Sequence, residues 1–318
     1  MAVLEFKEDT PEIEKRTPTI SITNVLLATD FSATSESALP YAAAICRKFG
    51  STLHLAHVVS DTRLLLMTGG VDYVCFDTLY DDAHNIALEN VEHIAAGIGD
   101  VPHRVYVRHG QVWTKLSEIV SENEIDLIVV GTHGRKGLGK LLLGSVAEEV
   151  LRHAPCPVLT AGPGISRRSQ LPGFYDTESK LAPVEFELRS ILYATDFTAA
   201  SPRVAPLAFS LASQFQSRLT LMHAIEGDPR LGDRPESADE DLRRLQHDVP
   251  KSASLAYAPG IAIEFGSAWH CIVNKAAELE ADLIVLGAHP SDHITHLPWS
   301  TVHQVVAHAT CPVLTVRA

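Results

Sequence analysis

The chain has 318 residues, 46% of them hydrophobic and 20% charged, with a formal net charge of −13. That length suits two domains of ordinary size with ample apolar core, and the acidic balance argues against broad binding to nucleic acid or membrane surfaces. The five cysteines form no C-x-x-C pair and no ligand-like spacing with histidine, so neither a disulfide framework nor a zinc finger is implied.

Residues 1–20 read as a tail. The opening MAVLEFKEDTPEIEKR is charged and lacks the apolar stretch of a signal peptide, and no segment has the length of a membrane span, so a cytoplasmic location is expected. From residue 21 the pattern alternates strand and helix, as in an α/β unit with a parallel sheet. Strands are predicted at 24–29, 52–59, 103–108, 127–131 and 156–160, with helices between them. The helix at 112–122 sets Val112, Leu116, Ile119 and Val120 on one face, and the helix from Ser145 is expected to bury Val146, Val150 and Leu151. Residues 163–187 hold Gly, Pro, Ser and Arg with little periodicity and read as a linker. Residues 188–318 repeat the alternation with a shorter second helix near 238–247.

The repetition is in the letters as well as the pattern. Val25-Leu-Leu-Ala-Thr-Asp30-Phe31 returns as Ile191-Leu-Tyr-Ala-Thr-Asp196-Phe197, and Leu53-His-Leu-Ala-His57-Val58 returns as Leu219-Thr-Leu-Met-His223-Ala224. Asp126-Leu-Ile-Val-Val-Gly131 returns as Asp282-Leu-Ile-Val-Leu-Gly287, and Pro40 recurs as Pro206. Cys156 and Cys311 stand at matching places before Pro-Val-Leu, where a small buried residue is expected. Such correspondence in order means two copies of one fold, the first at 21–162 and the second at 188–318.

The first copy carries the chemistry. After the apolar tetrad Leu127-Ile128-Val129-Val130 the chain reads GTHGRKGLGKLLLGS from Gly131 to Ser145, and Ser145-Val-Ala-Glu148 has the form of a capping box. Strand, glycine-rich loop and helix N-terminus together suit an anion: backbone N–H groups converge, the helix dipole adds partial positive charge, and Arg135, Lys136 and Lys140 add whole charges. Gly134-x4-Gly139-Lys140 imitates a Walker A loop, but Leu141 stands where a magnesium-ligating Ser or Thr is required.

The spacing Gly131-x2-Gly134-x9-Gly144-Ser145 resembles the nucleotide-binding signature of the universal stress protein family, and the likeness extends from about residue 21 to the end as two tandem domains. The resemblance implies two doubly wound five-stranded parallel-sheet domains of order 3-2-1-4-5, with ligands at the carboxyl ends of the first and fourth strands. It implies ATP, with or without Mg²⁺, as the ligand. Thr29 and Asp30 would face the adenosine and Val58 the adenine, while Gly131, Gly134, Gly144 and Ser145 would hold ribose and phosphates, with Arg135 beside them. Asp30 has an independent reading as a charge at a helix N-terminus. Single-domain relatives dimerise through the last strand, so the apolar runs Pro157-Val-Leu-Thr160 and Pro312-Val-Leu-Thr-Val316 are expected to cover one another as an intramolecular pseudo-dimer. A further homodimer and an unidentified protein partner stay open.

The second copy departs at the loop. It reads GAHPSDHITHLPWST, with Pro290 for Gly134, Ser300 for Gly144 and Thr301 for Ser145, and Asp292 in place of the basic residues. Proline offers no N–H, and serine disfavours a positive φ that glycine permits, so the second phosphate cradle is expected to be lost. His289, His293 and His296 invite a metal, yet no cysteine or second carboxylate joins them at ligand-like spacing. No catalytic set is legible: DFSATSES after the first strand holds neither an S-G-G-x-D-S loop nor an H-x-G-H motif, and there is no G-x-S-x-G or H-E-x-x-H. The expected protein is therefore an ATP-binding stress-response module, with a nucleotide-independent scaffold and a slow ATP hydrolase or self-kinase as alternatives.

Overall fold

The structure, a computed structural model, describes residues 20–60, 74–132, 143–162, 187–198, 201–226, 237–249, 254–288 and 301–317. The first copy supplies β1 (Asn24–Ala28), α1 (Ala33–Phe49), β2 (Thr52–Ser60), α2 (Val74–Gly97), β3 (His103–Gly110), α3 (Val112–Glu122), β4 (Leu127–Gly131), α4 (Ser145–His153) and β5 (Val158–Ala161). The second supplies β6 (Ser190–Ala194), α5 (Ser201–Phe215), β7 (Arg218–Ile225), α6 (Ser237–Asp248), β8 (Gly260–Phe265), α7 (Ala268–Glu278), β9 (Leu283–Ala288), α8 (Thr301–His308) and β10 (Val313–Arg317).

The strands are apolar throughout because both faces of the sheet are covered. Val25 and Leu27 point into a core shared with α1, α2, α5 and α6. Leu26, between them, points into a second core with α3, α4, α7 and α8. Period-two alternation thus divides one strand between two helical layers. Each half has the order 3-2-1-4-5, and the halves join into one ten-stranded sheet, β3-β2-β1-β4-β5-β10-β9-β6-β7-β8.

The junction is the one antiparallel pairing among the described strands. Val313 faces Thr160, Leu314 faces Leu159 and Thr315 faces Val158. Two buried hydroxyls reinforce it: Thr160 Oγ1 donates to the Val313 carbonyl at 3.1 Å, and Thr315 Oγ1 to that of Val158 at 3.3 Å. The two apolar edge runs therefore cover each other, as their sequence requires. Phe49 and Phe215, at the ends of α1 and α5, meet edge to face across the seam at 6.0 Å.

Two local expectations are corrected. Helix α4 buries Ala147 and Val150, whereas Val146 and Leu151 are half-buried. The buried face runs Leu143, Ala147, Val150, Ala154, a stripe at helical spacing that starts before the helix itself. The capping box is also absent. Gly144 is the N-cap, with no side-chain capping bond, and Ser145 is an exposed first-turn residue. The Glu148 carboxylate turns instead to Arg152, 2.8 Å away on the next turn.

Candidate functional site at the end of the first and fourth strands

In a sheet of this order the chain leaves β1 and β4 in opposite directions, which opens a crevice beyond their carboxyl ends. On the β1 side, Thr29 is buried and its backbone N–H continues the ladder to the Ala56 carbonyl at 2.9 Å. Its hydroxyl accepts from Phe31 N–H at 3.1 Å and lies 3.1 Å from Ser35 Oγ. Half-buried Asp30 accepts from Ser32 N–H at 3.0 Å. Ser32 is the cap of α1, its Oγ accepting from Ser35 N–H. Asp30 thus shapes the turn ahead of the helix while the capping falls to Ser32.

Phe31 closes this turn with φ of 61°, a left-handed conformation that is costly for an aromatic residue and that clusters at functional sites. Its ring stacks on His57 at 4.3 Å, and His57 Nδ1 sits 2.8 Å from the Thr29 carbonyl. Val58 follows on β2, 8% exposed.

On the β4 side, Gly131 is fixed by sterics. A Cβ there would stand 2.7 Å from the Thr34 carbonyl oxygen and 2.8 Å from Ser35 Cα, so only glycine lets the first turn of α1 approach. Gly144 returns the chain to the sheet, donating its N–H to the Thr132 carbonyl. Its carbonyl accepts the N–H of Glu148 at 2.9 Å. The N–H groups of Ser145, Val146 and Ala147 precede that bond and have no intrahelical acceptor. Gly144 has φ −65° and ψ 144°, extended backbone open to any residue. The expectation that Ser300 fails there for want of positive φ is corrected; what distinguishes Gly144 is its missing side chain at a helix start.

The structure accordingly brings Thr29, Asp30, Val58, Gly131, Gly144 and Ser145 to one end of the sheet. Gly134 and Arg135, with Lys136 and Lys140, lie outside the described residues, as do Pro290, Asp292, Ser300 and the histidines at 289, 293 and 296. Among the described residues no group of three or more His, Cys, Asp or Glu is placed to hold a metal ion, and no helix is long and apolar enough to cross a membrane.

The Phe31–His57 pair was not singled out from the sequence, although its signal was there. Both residues recur in the second copy, and the same geometry returns with them. Phe197 has φ 58°, its ring lies 4.6 Å from that of His223, and His223 Nδ1 is 2.8 Å from the Thr195 carbonyl. The second site then gains an ionic cover from α6. Buried Asp241 reaches His223 Nε2 at 3.9 Å and Arg244 at 3.5 Å, and the Arg244 guanidinium lies 5.5 Å over the Phe197 ring.

The model of the universal stress protein family matches residues 21–161 and 187–317. A universal stress protein of Methanocaldococcus jannaschii is 30% identical over 135 residues, covering 42% of this chain and 79% of its own. Universal stress protein A homolog 1 of Coxiella burnetii is 31% identical over 137 residues, covering 43% and 93%. A solved universal stress protein from Archaeoglobus fulgidus covers 92% of this chain and 98% of its own with a TM-score of 0.66 at 20% identity. A putative universal stress protein from Pseudomonas aeruginosa covers 93% of each with a TM-score of 0.58 at 18% identity. Those two structures share the fold along nearly the whole length, and the family matches take in both copies: the chain belongs to the universal stress protein family.

Proposed function

We propose that the first domain, residues 21–162, binds one adenine nucleotide, ATP foremost, beyond the carboxyl ends of β1 and β4, and that the protein acts as a cytoplasmic regulatory module whose partner choice follows nucleotide state. The observation that carries this reading is the pairing of a glycine-only contact at Gly131 with a helix start at Gly144 whose first N–H groups have no intrahelical acceptor. Such a helix start, entered by a glycine- and lysine-rich loop, suits phosphate. Thr29, Asp30 and Val58 line the nucleoside end, and Gly131, Gly134, Arg135, Gly144 and Ser145 the ribose and phosphate end. Mg²⁺ would come with the nucleotide rather than from a protein ligand set.

The second domain, residues 188–318, keeps the fold and not the ligand. Pro290 removes a backbone donor, three basic side chains have no counterpart, and Asp241 with Arg244 occupies the surroundings of Phe197 and His223. Each donor to a charged phosphate contributes about 1.5–3 kcal/mol, or roughly one to two powers of ten in affinity. The sum separates the two sites by several powers of ten even after a discount for exposure.

Calorimetric titration with ATP, together with identification of any small molecule released on denaturing the purified protein, tests this. A single nucleotide per chain is expected, abolished by Gly144→Val and retained by Ser300→Ala. Two nucleotides per chain, or binding that survives Gly144→Val, overturns the assignment, and no binding at all leaves the nucleotide-independent scaffold. Multiple-turnover hydrolysis at about 1 s⁻¹ or faster, lost in Gly144→Val, would make the protein an enzyme.

A further inference from the structure

We propose a second small-molecule site at the seam between the halves, one that takes an amphipathic anion of the medium-chain carboxylate class. On the face of the sheet covered by α1 and α5 lies a cavity of about 330 Å³. The first half lines it with Ile45, Phe49 and Leu159, and the second with their repeat counterparts Leu211, Phe215 and Leu314. Its mouth is open to solvent, so a guest can enter without unpacking the core. Apolar cavities of about 150 Å³ already stay dry and admit benzene-sized guests, and small-molecule sites begin at about 300 Å³. The chamber has the volume of a binding site and the lining of a hydrocarbon host.

Its charge selects the guest. Asp126 and Arg203 are the charged residues on its wall. Three neutral donors converge on Oδ2 of Asp126, Thr23 N–H at 2.7 Å, Thr23 Oγ1 at 2.6 Å and Asn24 N–H at 2.9 Å, and hold that carboxylate against the first residues of the first half. Arg203 is exposed and makes no ion pair among the described residues. The residue at the same place in α1 is Ser37, so the cation stands on one side only. With Asp126 held by its own donors, the Arg203 guanidinium beside a mostly apolar wall matches a guest with one anionic end and one hydrocarbon end.

The test is calorimetric titration of the full chain with decanoate and, separately, with decyltrimethylammonium, which has the same tail and the opposite charge. One decanoate per chain is expected, with the cationic analogue clearly weaker. Arg203→Gln, at an exposed position, should fold normally and weaken decanoate by roughly fivefold, the scale of an exposed ion pair. Leu211→Phe should fill the chamber and remove binding; should that variant fail to fold, the Arg203→Gln result and the charge comparison still decide. No saturable binding, equal affinity for the two amphiphiles, or decanoate binding untouched by a folded Leu211→Phe variant would each overturn the proposal. The chain enters the described region on the rim of the cavity, where Ile20 N–H donates to Ser210 Oγ at 2.9 Å. Decanoate binding seen only in a full-length Leu4→Asp variant would therefore make the first residues of the chain the true occupant, and would overturn the proposal as well.

Discussion

The end of β4 and the first turn of α1 meet where Gly131 faces the Thr34 carbonyl, and a methyl group on Gly131 would come within 2.7 Å of that oxygen. The obstacle is backbone, which cannot swing aside as a long side chain could. Gly131→Ala is expected to cost about 1–3 kcal/mol, the usual scale of overpacking, and to lower the thermal midpoint by several degrees. ATP affinity should fall with it, since the same turn forms one wall of the crevice. Scanning calorimetry checks the first effect and titration the second; an unchanged midpoint would mean that α1 yields.

Cutting the seam should uncouple the halves. Thr160 lies between two partners, Val130 on β4 and Val313 on β10, so proline there removes a ladder donor from the middle of the sheet. A buried partner left unsatisfied costs about 1–3 kcal/mol. Thr160→Pro is expected to turn one calorimetric transition into two and to promote association through the freed edges of β5 and β10. A single unshifted transition would show that the seam contributes little.

Acid should destabilise the protein through His54. The ring is 1% exposed, with Nδ1 3.1 Å from Tyr106 Oη and Nε2 3.1 Å from Asn24 Oδ1. A neutral ring donates from one nitrogen and accepts at the other. Burial, helped by the charge of Arg104, holds its pKa below the ordinary 6.5. The unfolded chain therefore takes up the proton first as pH falls. Stability is complete above 6.5 and is lost as pH drops from there toward the folded value. His303, lowered by burial against an opposing pull from Glu148, adds in the same direction. Denaturant midpoints between pH 8 and 5 should decline, and His54→Gln should flatten part of that slope; a parallel slope in the variant would assign the effect elsewhere.

Three thiols should be inert in the folded state. Burial pushes Cys46, Cys156 and Cys311 up to about 12, with nearby Asp282 adding to the shift at Cys311. At pH 8 only about one thiol in ten thousand would be ionised. Cys271 is half-buried, raised by burial and by Glu264. Alkylation followed by peptide mapping should label Cys271 well before the other three, which react on unfolding. Early labelling of Cys311 would contradict the packing around β10.

The strands were legible in continuous apolar runs, the repeat in matching letters and the seam in the hazard of bare edges, while the strand order was implied by the family resemblance alone. The helix from Ser145 was legible in existence but misread in detail. Periodicity locates an apolar face only once the phase is known, and the phase here is set by Leu143, which precedes the helix. The cap was misread for a related reason. Ser145 and Glu148 have the letters of a capping box, but Gly144 takes the cap once its N–H is committed to Thr132 on the sheet. Contacts such as Phe31 with His57, or His54 with Tyr106, join residues whose meeting depends on strand register and on one left-handed turn. No local pattern encodes those distances, although the recurrence of Phe and His in both copies hinted at the first.

Because β5 and β10 belong to one chain, the two halves are held together at any dilution, and their sequences are free to diverge. Position 203 shows what that freedom allows. Were the assembly two identical subunits, an arginine at this place in the helix would appear on both sides of the apolar chamber. Ser37 on one side and Arg203 on the other break that symmetry. Carrying both copies in one chain gives the interface a head and a tail, a polarity that a rotationally symmetric pair cannot have.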